Sequence, residues 1–260
     1  MQVAIITGAG SGIGLATATL LARQGMAIVG VGRDPARLTH LEGVIGDPAR
    51  VATLPADITA DDAPRRVAQL ALDRFGQIDF LINNAGMGSP TPLHETDDET
   101  LDRFLDVMLR APFRFAREVI GHMQPGSAII SVSSTYAVVG GRRGGAYSAA
   151  KAGLIGLTTH IACDYGPRGI RANVVAPGVT VTDMVRERLK DQAFVRMNVE
   201  LTPYPRLGEP EHVAATIGFL CSPGGSFING QVIVVDGGWS STKYLSPRGL
   251  TSTWTDQADE

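Results

Sequence analysis

A chain of 260 residues, 44% hydrophobic and 19% charged, has the balance of an ordinary globular protein and the length of one α/β domain with a full core. A net charge of −3 gives no electrostatic reason to expect nucleic acid, and Cys163 and Cys221 are too few for a disulfide framework or a zinc cluster and read as small buried side chains. No secretory signal is expected ahead of the apolar run that starts at Val3, and no apolar run reaches membrane-spanning length, so a cytoplasmic location with no membrane partner is expected.

Val3-Ala4-Ile5-Ile6 reads as a buried strand. Thr7-Gly8-Ala9-Gly10-Ser11-Gly12-Ile13-Gly14 then turns sharply and opens an Ala/Leu-rich helix over 13–23. Strand, glycine loop and helix make half of a nucleotide-binding unit: Gly8, Gly12 and Gly14 let the backbone approach a pyrophosphate, and the N–H groups and dipole of the helix N-terminus favour its charge. The spacing differs from GxGxxG, and a merely tight loop is the plain alternative.

The second strand, 27–31, ends at Gly32-Arg33, where a site for NAD usually carries an acid to hold the ribose hydroxyls. A guanidinium at Arg33 can pair with a 2′-phosphate, so NADP(H) is favoured over NAD(H); Asp34 beside it can compete for that charge, and a solvated loop cation is the other reading.

Further strands are expected at 51–55, 80–82, 128–132, 171–176 and 232–235, with helices at 62–75, 100–123, 146–164 and 211–221 between them. The alternation predicts an α/β fold, a single doubly wound parallel sheet with helices on both faces, Rossmann-like, as right-handed crossovers require. No linker or repeat divides residues 1–242. Residues 243–260 form a polar tail with a Ser/Thr/Asp bias, expected to lie on a neighbouring surface or to be disordered.

Chemistry concentrates after the fifth strand. Tyr147 and Lys151 stand one helical turn apart on one face, so the ammonium is expected to favour the phenolate and to lower a pKa ordinarily about 10. Thirteen residues before Tyr147, Ser134 ends an apolar run and can hydrogen-bond an oxygen on which charge develops. A tyrosine so tuned hands a proton to a carbonyl or takes one from an alcohol. Taken singly, a Tyr–Lys pair at this spacing is common on exposed helices and Ser134 could be a turn residue beside Ser131 and Ser133. His94, His122, His160 and His212 show no paired metal spacing, and no metal is expected.

The ordered set resembles the short-chain dehydrogenase/reductase family from Met1 to about Ser240. Its pieces are the glycine loop, Asp57-Ile58-Thr59, Asn83-Asn84-Ala85-Gly86, Ser134, the Tyr147/Lys151 pair, Asn173 to Gly178 with Thr182, and Val235-Asp236-Gly237-Gly238. The resemblance implies hydride transfer between a nicotinamide cofactor and a carbonyl or secondary alcohol, with Ser134, Tyr147 and Lys151 catalytic. It implies cofactor contacts from Gly8, Ser11, Gly12, Ile13, Gly14, Arg33, Asp57, Ile58, Asn84, Ala85, Gly86, Tyr147, Lys151, Pro177, Gly178, Val179 and Thr182. Ser11 stands where many NADP-preferring relatives carry a second base.

From the same resemblance, residues 183–206 roof the substrate pocket as a helical lid with one apolar face, and assembly as a homotetramer or homodimer is expected through the helices at 100–123 and 146–164. The Val235–Gly238 motif and the tail are candidates for a second interface. Met108 occupies the place of an asparagine that in many members holds a water connecting the lysine to solvent, and a thioether cannot replace an amide there. Arg142 and Arg143, close ahead of Tyr147, could attract an acidic or phosphate-bearing substrate, or be solvated loop charges. Two other classes compete: a catalytically impaired NAD(P)-binding regulator, which has no need of Ser134, Tyr147 and Lys151 together, and a Rossmann-like methyltransferase, which wants an acid after the second strand.

Overall fold

The structure, a computed structural model, describes residues 1–88, 91–244 and 246. Seven strands form one sheet: β1 (Val3–Thr7), β2 (Ala27–Gly32), β3 (Val51–Pro55), β4 (Phe80–Asn83), β5 (Ala128–Val132), β6 (Arg171–Pro177) and β7 (Val232–Val235). Their order is β3-β2-β1-β4-β5-β6-β7 and every pairing is parallel, Ile5 for instance lying between Val29 and Leu81. The strand order reverses between β1 and β4, and a crevice opens beyond the carboxyl ends of the strands at that point.

Successive residues of a strand point to opposite faces, so the continuous apolar runs feed two cores. On one face Val3, Ile5, Val29 and Leu81 pack against α3 (Ala63–Phe75), α5 (Ala111–Val119) and α6 (Gly145–Tyr165). On the other, Ala4, Ile6, Ile28 and Ile82 pack against α1 (Gly12–Arg23), Leu41 of α2 (Pro35–Ile45) and α8 (Pro210–Leu220). The remaining helices are α4 (Asp98–Leu105) and α7 (Gln192–Glu200).

Three expectations need correction. Helix α2 is missing from the sequence reading because only Leu38 and Leu41 of it are buried, too narrow an apolar stripe to register as a period. The helix expected at 100–123 is broken: α4 passes through a π turn, Asp106–Arg110, into α5. Pro112 cannot donate to the Met108 carbonyl four residues back and its ring would crowd it, and the widened turn falls at that place. Cys163 is exposed, since α6 buries Leu154, Thr158, Ile161 and Ala162 and position 163 falls outside that stripe, whereas Cys221 is buried. Of the 243–260 tail, all but residues 243, 244 and 246 lies outside the described residues.

Candidate active site

The crevice at the switch point is built first from backbone. Gly8 and Gly12 hold left-handed φ angles of 68° and 50°, and a Cβ at Gly14 would stand 2.1 Å from the Gly8 carbonyl oxygen, so no other residue fits there. Thr7 ties β1 to β4: its hydroxyl accepts from Asn84 N at 3.0 Å and Ala85 N at 3.1 Å, while the Asn84 amide donates to the Thr7 carbonyl at 2.9 Å. Ser11, the N-cap of α1, makes no side-chain capping bond, which leaves the first N–H groups of that helix open to an anion. A glycine cradle beneath an uncapped helix N-terminus fits the pyrophosphate of a dinucleotide.

On the far side the cleft is built from side chains. Tyr147 and Lys151 lie in the first turns of α6, and Gly153 lets that helix close onto the π turn, where an added Cβ would stand 2.7 Å from Leu109. The Tyr147 ring packs edge-on to Phe104 with centroids 6.4 Å apart. Lys151 is buried at 4% exposure; its Nζ donates to the Val132 carbonyl at 2.7 Å and stands 6.0 Å from the Tyr147 ring centroid. Ser133 Oγ donates to the Lys151 carbonyl at 2.8 Å, so β5 and α6 are tied in both directions. Ser134, next along, accepts from Tyr136 N at 3.2 Å and keeps its own proton to donate into the cleft.

The electrostatics of this pair differ from expectation. Burial pushes the Lys151 ammonium down to about 8. The Tyr147 phenol is held above its ordinary value, chiefly by burial, with the Ser134 hydroxyl pulling the other way and the Tyr136 phenol adding to the rise. The lowering expected from Lys151 does not appear: desolvation of the phenolate dominates, and the Lys151 amine is bonded to the Val132 carbonyl. At neutral pH the phenol keeps its proton. Met108 is fully buried, and its Sδ and Lys151 Nζ both lie 3.7 Å from where a Gly86 Cβ would stand, so both border Gly86.

The structure gathers Gly8, Ser11, Gly12, Ile13, Asn84, Ala85, Gly86, Ser134, Tyr147, Lys151, Pro177, Gly178, Val179 and Thr182 around one cleft of roughly 280 Å³. Gly14, Arg33, Asp57 and Ile58 do not line it. Gly14 is buried beneath the loop, and Ile58 belongs to the core, which leaves it only backbone to offer. Asp57 is exposed and accepts from both N and Oγ1 of Thr59, and these bonds, then Arg33, hold its carboxyl below the usual range. Arg33 is exposed, with no carboxylate among the described residues within 4.0 Å; Asp34 instead caps α2 through Ala36 N and pairs with Arg37.

Residues that sequence reasoning missed also meet here. Arg37 of α2 reaches Asp183 at 3.0 Å, joining that helix to the start of the lid, and was invisible once α2 was missed. Tyr136 lines the cleft and packs against Trp239 at 6.0 Å; its position two residues after Ser134 was the available signal. Asp236 accepts from Gly238 N and Ser240 N, and a Cβ at Gly178 would stand 2.8 Å from its own, so it buttresses the Pro177-Gly178 floor. The lid contains α7, with Phe194 buried, while Met184 and Met197 stay exposed. Among the described residues no three His, Cys, Asp or Glu side chains gather as a metal site, and no helix is long and apolar enough to cross a membrane.

Comparison with known proteins places this geometry in company. A family model described as enoyl-(acyl carrier protein) reductase matches residues 8–240. The chain is 36% identical to an A-factor type gamma-butyrolactone 1′-reductase (1S-forming) of Streptomyces virginiae, covering 92% of this chain and 95% of that protein. It is 37% identical to the cis-4-hydroxycyclohexanecarboxylate dehydrogenase of Sinomonas cyclohexanicum, covering 92% and 97%. Among solved structures, a short-chain dehydrogenase/reductase from Brucella melitensis described as glucose/ribitol dehydrogenase superposes with a TM-score of 0.88 at 32% identity, covering 92% of this chain and 96% of that one.

Proposed function

The chain belongs to the short-chain dehydrogenase/reductase family and is an NAD(P)-dependent oxidoreductase of carbonyl or alcohol groups, and on that premise we propose that Tyr147 is its proton donor and acceptor. A nicotinamide cofactor, when bound, supplies or accepts the hydride. The Tyr147 phenol gives its proton to the substrate oxygen in reduction, and the Ser134 hydroxyl hydrogen-bonds the same oxygen as charge develops on it. Lys151 holds positive charge below the phenol and offers a donor to ribose hydroxyls. The glycine loop and the N-terminus of α1 take the pyrophosphate, Asn84-Ala85-Gly86 and Pro177-Gly178-Val179 wall the nicotinamide, and Thr182 offers it a hydroxyl. The observation that carries this reading is the meeting of Ser134, Tyr147 and Lys151 with the glycine loop in one cleft.

A phenol that is protonated at neutral pH suits carbonyl reduction, the direction in which a general acid is needed. For oxidation of an alcohol the same group must first lose its proton, so that direction is expected to be favoured at higher pH. The test is a pair of titrations of the purified protein with NADPH and NADH, followed by a carbonyl screen with Tyr147→Phe alongside. Cofactor binding by both proteins with turnover by the parent alone supports the reading; equal turnover refutes it.

For the cofactor, NADP(H) over NAD(H) is the proposal. Arg33 is exposed and has no carboxylate within 4.0 Å among the described residues, feeling Asp57 only from a longer range; its competitor Asp34 is engaged with α2, and no acid stands at Gly32. Residues 1–242 are proposed as one catalytic unit, cytoplasmic, and assembled as a homotetramer or homodimer. Support for assembly comes from exposed apolar side chains: Phe113 on α5 at 49%, Val234 on the edge strand β7 at 38% and Phe219 of α8 at 48%. A monomer mass in light scattering would refute it.

A further inference from the structure

We propose that Arg142, Arg143 and Arg188 form an anion site at the mouth of the catalytic cleft, so that the carbonyl or alcohol substrate carries a carboxylate or phosphate group away from its reacting carbon. The inference rests on the reading of this cleft as the place of hydride transfer. All three arginines line the cleft that contains Ser134, Tyr147 and Lys151. None has a carboxylate within 4.0 Å among the described residues. Asp183 is the only acid among the described residues lining the cleft, and it is already bonded to both Arg37 and Arg186. A protein of net charge −3 therefore presents an unbalanced positive wall where its substrate must enter.

The loop that carries two of these charges is held in place. A Cβ on Gly141 would stand 2.9 Å from the Tyr136 ring, and Gly144 bridges to Thr91 at the other end. Arg143 has φ 59°, the only positive value at a non-glycine among the described residues, although Gly140, Gly141, Gly144 and Gly145 flank it and glycine would take that conformation without strain. An arginine held in a strained conformation two residues before Gly145, where the helix carrying Tyr147 and Lys151 begins, is the kind of outlier that points to function. On the opposite lip, the Arg188 guanidinium lies 4.0 Å from the Phe194 ring centroid, which fixes its plane and leaves its edge N–H groups for a ligand. Planar guanidinium forks match the two oxygens of a carboxylate or the oxygens of a phosphate.

Straight-chain oxocarboxylates with the ketone at successive positions, each paired with its methyl ester, test this directly. A ketone phosphate paired with its free ketone separates phosphate from carboxylate. Reduction is measured for each pair, and calorimetry follows binding to protein saturated with the oxidised cofactor, which needs no turnover. At one chain length the anion should be favoured by about ten- to hundredfold over its neutral partner, through KM. In the double variant Arg142→Gln with Arg143→Gly, which relieves the strained backbone, that preference should collapse while the dissociation constant of the cofactor holds. Arg65→Gln on α3, the same charge change away from the cleft, should leave the preference intact. Turnover of acids and esters alike, with no difference in binding, overturns the anion site and leaves the dehydrogenase reading standing; weakened cofactor binding in the double variant overturns it by assigning the arginines to the cofactor. Discrimination in calorimetry without turnover of any ketone supports the anion site and counts against the proton-transfer reading.

Discussion

The two walls of the cleft are made of different material. The wall from β1, α1 and the end of β4 is backbone: glycines, open N–H groups and the Thr7 and Asn84 ties, with no titratable side chain among them. The wall from β5, α6 and the lid is side chain: Ser134, Tyr147, Lys151 and the arginines, with a buried amine and a phenol moved from their ordinary pKa values. A cradle for a constant ligand can be built from main chain, which has one shape and no dependence on pH. Proton transfer and choice of substrate need groups that can change charge or be exchanged. The first wall should therefore fail through sterics and the second through titration.

The largest expected effect lies on the side-chain wall. Tyr147→Phe should lower kcat by about 10²- to 10⁴-fold while NADPH binding, read by nicotinamide fluorescence, changes little. A comparable loss of binding would mean that the walls are not separable.

Next is Lys151, whose pKa of about 8 lies below the 10.5 of the unfolded chain. Between those values the unfolded state binds more protons, so stability should rise with pH across that window as the penalty of burying the ammonium is relieved; below about 8 the penalty is fully present. The difference is on the order of 3 kcal/mol. Urea unfolding of the cofactor-free protein and of Lys151→Met at several pH values between 7 and 11 measures it, and parallel curves would show that no charged amine is buried there.

On the backbone wall, Gly14→Ala drives a Cβ toward the Gly8 oxygen and should destabilise the fold by about 1–3 kcal/mol or more, with loss of cofactor affinity, to the same extent at every pH. Thermal unfolding at two pH values checks both parts. A pH-dependent loss would blur the contrast.

The smallest effect should come from Gly32→Asp. A Cβ there meets Leu38 at an ordinary 3.6 Å, so the carboxylate enters without steric cost and places an acid where ribose hydroxyls are expected. Affinity for NADH relative to NADPH should rise by about tenfold or more, and an unchanged ratio would remove Arg33 and its neighbourhood from cofactor choice.

Much of the fold was legible because parallel strands buried on both faces read as unbroken apolar runs, and β1, β2 and β5 fall where those runs lie. Helix α2 was lost although its punctuation is present: Asp34 caps it, Pro35 opens it and Gly46 closes it with φ 69°. End signals without a broad apolar stripe were not enough. The break at Asp106–Arg110 was likewise written in Pro112, but periodicity runs through a π turn almost undisturbed.

The candidate site divides the same way. Tyr147 four before Lys151, Ser134 thirteen before Tyr147 and glycines at 8, 12 and 14 are each ambiguous alone, and it was their order along the chain, read as a family resemblance, that named a chemistry needing a phenol, an amine, a hydroxyl and bare backbone. What those groups do at a given pH was decided by tertiary structure alone. Burial raises the Tyr147 phenol, the Val132 carbonyl holds the Lys151 amine, and α2 brings Arg37 across to Asp183. Desolvation and long-range pairing depend on which segments fold over a residue, and local sequence does not record them.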